Sequence, residues 1–245
     1  MNSAVPHIFS NQRRRLRYER SLARQQRPGA ARWLIDAMVE DVLERLAFLR
    51  WHGASVLISG LGGDAVAAAL EQPAPRSPIG LDRPLAGGPY DLIVSLGELD
   101  TVNDLPGALL HLRNALAPGG LLLASIVGAG SLPLMRAAML AGDGDRVHAR
   151  VHPQIDLQAA SGLLQRARFG RQVVDHYRLT ARYRTIERHV ADLRDQALTC
   201  VLADRSPPLG QAALERARAA FTERADADGK VSEVFEIITI TAWNA

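Results

Sequence analysis

Val56-Leu57-Ile58-Ser59-Gly60-Leu61-Gly62-Gly63-Asp64 is a short apolar run that passes without a break into a glycine turn. Leucine and β-branched residues in unbroken succession suit a parallel strand covered on both faces. Glycines directly after it let the chain turn sharply into a helix and bring backbone close to a charged small molecule. Two further stretches complete the pattern. Tyr90-Asp91-Leu92-Ile93-Val94-Ser95 reads as a second buried strand, and Leu116-Ala117-Pro118-Gly119-Gly120 as a turn into a third, Gly120 to Val127. Strands and helices therefore alternate, which predicts a doubly wound α/β sheet.

Outward from this centre, residues 32–49 place Trp33, Leu34, Ala37, Met38, Val42 and Leu46 at spacings of three and four, an amphipathic helix ended by His52-Gly53. Asp64 is positioned to cap a helix over residues 65–72, which Pro73 ends. Ile79 to Leu81 is at most a short strand, and residues 105–116 are helical. Further helices are expected over 131–140, 157–169, 186–198 and 209–224. Strands are expected over 172–179 and 234–241, the last rich in Ile, Thr and Phe. The expected organisation is a basic N-terminal arm and helical cap over residues 1–50. An α/β domain over 51–245 follows, with helices inserted at about 131–170 and 186–225.

With 47% hydrophobic residues in 245, the chain can bury roughly 70–75% of its unfolded surface, enough for one core without metals or disulfides. The single cysteine, Cys200, cannot form an intramolecular bridge, and no apolar run is long enough to cross a bilayer, so a soluble protein of the cytoplasm, or of the mitochondrial matrix in a eukaryote, is expected. The net charge of +3 is unevenly spread: the first 32 residues carry eight arginines against Glu19 alone, so the remainder is acidic. Such an opening suits an anionic membrane surface or a solvated helix face. Nucleic acid is not expected, because few aromatics interleave with the arginines to stack on bases. The only lysine is Lys230, so from composition alone the arginines are expected to reflect overall usage rather than selection for phosphate.

Gly60-Leu-Gly62-Gly-Asp-Ala65 matches the dinucleotide pattern G-x-G-x-x-A, and Asp82 lies where a ribose-binding acid belongs, so an NAD-binding oxidoreductase is one reading. A tight structural turn without a ligand is another. No metal site is expected: His148 and His152 are four apart, but Pro153 follows and a third ligand is lacking. No Ser-His-Asp constellation can be assembled either.

A third reading rests on the segments downstream. Pro89 to Ser95, Val102-Asn-Asp-Leu-Pro106 and Leu116 to Leu123 resemble, in order and spacing, motifs of the class I S-adenosylmethionine (SAM) dependent methyltransferases. Val102 to Leu109, Arg150-Val-His-Pro153, Gly162 to Ala167, Asp192-Leu-Arg194, Asp228 to Ile238 and the N-terminal Ile8-Phe9 are similar to one group within them. That group holds the malonyl-carrier-protein methyltransferases and the arginine-modifying complex I assembly factor. The resemblance implies a Rossmann-like class I methyltransferase fold, mostly parallel with an antiparallel C-terminal strand, and SAM as cofactor. It further implies a protein substrate or respiratory complex subunit as partner. Gly60, Gly62, Gly63, Asp82 and Ser95 would border the cofactor, and Asp100, Arg150 and His152 the substrate; the catalytic residue stays unassigned.

Three features of the residues themselves bear on that implication. The family's acid before the first glycine is Ile58 here, which cannot accept a hydrogen bond from an ammonium. Its third glycine is Asp64, which would repel a bound carboxylate. A βαβ unit takes about 30 residues, so only one such unit fits between the glycine turn and Tyr90 where the family has two. A shortened fold with weakened SAM binding follows, and a non-catalytic assembly protein on the same scaffold is the alternative. Asp100 and Thr101 also stand where the family has a histidine and an aromatic.

Overall fold

The computed structural model describes residues 5–72, 80–81, 83–85 and 87–244. Five strands form one sheet in the order β1-β2-β3-β5-β4. β1 (Val56–Gly60), β2 (Tyr90–Leu96) and β3 (Leu116–Val127) are parallel neighbours. β5 (Val231–Trp243) runs antiparallel to both its neighbours, β3 and β4 (Arg171–Tyr183). The sheet is thus mostly parallel with a reversed C-terminal strand, as the resemblance implies.

The two-residue period of a strand sends alternate side chains to opposite faces, and the core divides accordingly. Ile58, Val94, Leu96 and Leu123 face α2 (Trp33–Phe48) through Leu34, Ile35, Met38 and Val42. Leu57, Ile93 and Leu122 face α4 (Leu105–Ala115) and α6 (Leu157–Arg166) through Leu109, Leu112, Ala160 and Leu164. α4 starts where Asp104 accepts a bond from the Gly107 N–H at 2.9 Å, supplying one of the donors a helix N-terminus leaves open. α3 (Gly63–Ala69), α5 (Pro133–Asp143), α7 (Ile186–Asp195) and α8 (Gln211–Thr222) complete the set with α1 (Asn11–Gln25).

Among the described residues, no strand lies beyond β1. Gly80 and Leu81 form a turn, and Leu81 is buried in the cluster of Leu57, Tyr90 and Ile93. Ile79 and Asp82, two residues on which the expectations for this stretch turned, lie outside the described residues. Asp64 does not cap α3. Gly62 holds the N-cap position without a side-chain bond, and Asp64 sits exposed in the first turn.

The arginine-rich opening is a helix, α1 (Asn11–Gln25), capped by Ser10, whose Oγ accepts from the Arg13 N–H. It carries no apolar stripe wide enough to be seen by period, because its attachment to the body is polar. Ser21 Oγ donates to the Arg194 carbonyl at 2.8 Å, and Arg24 pairs with buried Asp195 at 2.6 Å. Arg13 donates to the carbonyls of Cys200 and Leu202, and Arg17 to that of Thr199. Just before the helix, Phe9 is buried with Val201 and Leu202 and bridges to Leu202 as a strand would. The segment is therefore not the solvated arm that its charge suggests.

Candidate functional site

In an open α/β sheet, ligands bind in the crevice outside the carboxyl ends of the parallel strands. Here that crevice is bordered by the Gly60 turn and by Leu96 to Glu98 after β2. Gly60 has φ +103°, and a Cβ there would lie 2.0 Å from the Leu96 carbonyl oxygen. Gly62 has φ +88°, and its Cβ would lie 2.7 and 2.8 Å from the Cγ2 atoms of Ile35 and Val39. Both glycines are required by close packing against the protein itself, and Gly63 is buried at the start of α3. Ser95 lies fully buried opposite Ser59 in the sheet register, its Oγ without a hydrogen-bond partner.

Over this turn lies α1. Arg14, Arg17 and Tyr18 come down on Leu61 and Glu98, with Ile35 on one flank and Gln196 on the other, and leave a cavity of about 40 Å³. That is space for about three waters, against the roughly 300–1,000 Å³ of small-molecule sites.

The chemical centre of the cavity is Glu98, 5% exposed, whose Oε2 accepts a hydrogen bond from Ser59 Oγ and whose Oε1 has no hydrogen-bond partner. Burial raises its pKa to about 8; the Ser59 bond and the Arg14 and Arg17 guanidiniums pull it down, and Asp100 pushes it up. Burial also raises the Tyr18 phenol to about 12, helped by Glu98 and Asp64. The same effect lowers Arg17, which Asp100 and Glu98 oppose. A neutral glutamic acid beneath arginines therefore fills the floor of the crevice near neutral pH. Sequence reasoning missed Glu98, Arg14 and Tyr18. The available signal was an acid after a buried strand, where the flanking Leu96 and Leu99 offer it no water.

Behind this cavity lies a second, of about 120 Å³, lined by Asp100, Arg150 and His152 together with Met135, Met139 and Cys200. The three residues expected at the substrate thus border one chamber, although each already has a partner or a neighbour. Arg150 is held by Asp143 at 2.6 Å and donates to the Pro207 carbonyl, and that guanidinium is the main reason Asp143 is lowered to about 2. His152 accepts from the Val201 N–H through Nε2 at 2.6 Å and stacks edge-on with Phe9. Burial, with Arg17 and Arg13 nearby, lowers it to about 3, so it stays neutral. Burial raises the pKa of Asp100, while Arg17 and Arg14 pull it down, so the cations nearest this expected substrate contact are arginines of the chain itself. Cys200 is only partly buried, at the chamber wall. Among the described residues no group of three or more His, Cys, Asp or Glu is placed to hold a metal. No described helix is long and apolar enough to cross a membrane. Asp82 lies outside the described residues.

No family model matches the chain. It is 30% identical over 161 residues to the malonyl-[acyl-carrier protein] O-methyltransferase of Xylella fastidiosa, which covers 65% of this chain and 54% of that protein. Over 164 residues it is 24% identical to the mitochondrial arginine-hydroxylase NDUFAF5 of Danio rerio, 65% of this chain and 51% of that one. The chain spans about half the length of these relatives. Among solved structures, a candidate methyltransferase of Bacillus halodurans superposes with a TM-score of 0.54 at 11% identity, over 84% of this chain and 98% of that one.

Proposed function

We propose that the chain, which has the class I methyltransferase fold and resembles in sequence the malonyl-[acyl-carrier protein] O-methyltransferases and arginine-hydroxylase NDUFAF5 over about half of their length, is a methyltransferase-type protein with a weakened SAM site. It modifies or holds a protein substrate, of the kind handled in respiratory complex I assembly. The relatives support SAM as the cofactor to assign, where it would supply an electrophilic methyl group beside Gly60, Gly62, Gly63 and Ser95. The residues present do not fit it in the closed arrangement. Ile58 offers no acceptor for an ammonium, and α1 leaves only about 40 Å³ above the turn. That closure is the observation on which the proposal rests.

The same closure favours a second reading, a non-catalytic assembly protein that keeps the chamber of Asp100, Arg150 and His152 for its partner. Melting of the full chain with SAM, S-adenosylhomocysteine and, for the dinucleotide reading, NADH tests both. A 10 µM site would gain about 2.7 kcal/mol at 1 mM ligand, and a 1 mM site about 0.4 kcal/mol. The weakened enzyme predicts a small but reproducible rise with SAM. No rise at several millimolar leaves the non-catalytic reading, and a rise of several degrees at 1 mM refutes the weakened site.

A further inference from the structure

On the outer side of α1 the protein carries a groove of about 790 Å³ lined by seven arginines: Arg13, Arg17, Arg20, Arg24 and Arg27 along the N-terminal segment, and Arg194 and Arg205 opposite. No carboxylate lines it. The spacing of three and four puts the α1 arginines on one face of the helix. Arg24 is paired with Asp195, and Arg17 is buried and turned to the Thr199 carbonyl and Thr101 Oγ1. Arg13 donates only to main-chain carbonyls. Among the described residues the exposed side chains of Arg20, Arg27, Arg194 and Arg205 have no hydrogen-bond or ion-pair partner. Five guanidiniums thus converge on one concavity without a counter-charge, an arrangement that self-repulsion disfavours unless an anion occupies it.

We propose that this groove binds a compact phosphate-bearing ligand, of the di- or triphosphate class. Three features select that class. The volume is that of a small-molecule site, and a concave wall does not match the plane of a membrane. The charge density exceeds what an acidic peptide presents, since an extended chain turns one side chain to a given face only every ~6.6 Å. A phosphoryl group instead carries up to two charges and three acceptor oxygens at one point, which guanidinium forks engage bidentately. The lining has no aromatic side chain, so recognition is of phosphate and not of a base. The groove ends at Thr199 and Cys200, which also line the chamber of Asp100, Arg150 and His152, so a ligand held by its phosphates sits against the wall of that chamber. The site does not depend on the methyl-donor reading, which SAM titration of the same samples answers separately.

Inorganic tripolyphosphate is the probe, titrated calorimetrically into the full chain at two salt concentrations, with a poly-glutamate peptide and anionic phosphatidylserine vesicles as comparators. The expected result is a micromolar Kd at low salt that weakens about tenfold on raising salt from 50 to 200 mM. The double variant Arg20→Ser/Arg205→Ser, at exposed unpaired positions, is expected to weaken binding at least tenfold at unchanged melting temperature. Absence of binding at millimolar tripolyphosphate, or an unchanged Kd in the variant, overturns the proposal. Tighter binding of the peptide or of the vesicles overturns it too, in favour of an acidic protein or a lipid surface.

Discussion

Replacing Glu98 by Gln should leave the protein nearly unchanged at or below the ordinary carboxylate pKa and make it progressively more stable than the parent as pH rises to mild base. Glu98 is buried, hydrogen-bonded to Ser59, and raised from its ordinary value of 4.5 to about 8. The folded protein therefore holds a proton that the unfolded chain releases above pH 4.5. Stability from this group is present below the unfolded value and is lost as pH climbs towards and through the folded one. With that pair of values the parent loses about 2 kcal/mol between pH 6 and pH 8 that E98Q does not lose. Gln keeps an oxygen for the Ser59 bond and carries no charge to desolvate, so the two proteins should agree to within about 1 kcal/mol only at or below pH 4.5; by pH 6, where the unfolded carboxyl is already ionised, the parent should trail E98Q by about 2 kcal/mol. Urea denaturation of both at pH 6, 7 and 8 measures the difference, in which the contributions of all other titrating groups cancel. Parallel pH dependences for parent and variant would refute the reasoning, because Glu98 would then ionise normally and could not lie beneath α1 as described.

Other expectations concern the turn and the chamber. Gly62→Ala should cost about 2–4 kcal/mol, combining a left-handed backbone with overpacking against Ile35 and Val39. Gly97→Ala, with φ +65° and nothing within 4 Å of its Cβ, should cost only about 1–2 kcal/mol; thermal melts of the pair separate packing from conformation. His152→Ala leaves the Val201 N–H without its acceptor and should cost about 1–3 kcal/mol at pH 7.5. Because His152 is lowered from 6.5 to about 3, its neutral form contributes stability that is lost as pH falls below 6.5, about 2 kcal/mol by pH 5. H152A should therefore show a shallower decline in acid than the parent.

The strands of the sheet could be read from the sequence because buried parallel strands are continuous apolar runs, and the glycine turn because glycines sit where the strand ends. What the glycines touch could not be read. Gly62 faces α2, and sequence spacing does not distinguish a glycine opened for a ligand from one closed on Val39. How α1 attaches could not be read for a related reason. Hydrophobic period detects helices that bury apolar side chains, whereas α1 is fastened by Ser21, Arg13, Arg17 and Arg24 to carbonyls and to Asp195. Arginines that look solvated in a string are inward-facing ties in the fold. Asp100, Arg150 and His152 line one chamber, but the approach of Arg17 to Asp100 and of the Val201 N–H to His152 joins segments far apart in the chain, which only the tertiary structure shows.

The central claim is that the protein's own N-terminal helix closes the crevice of a methyltransferase scaffold over the Gly60 turn. A crystal structure determined after soaking with millimolar S-adenosylhomocysteine tests it most directly. Arg14 and Tyr18 should be seated over Leu61 and Glu98, with at most a partly occupied adenosyl ligand above Gly60. A fully occupied ligand lying along Gly60 to Gly63, with α1 lifted away, would contradict it.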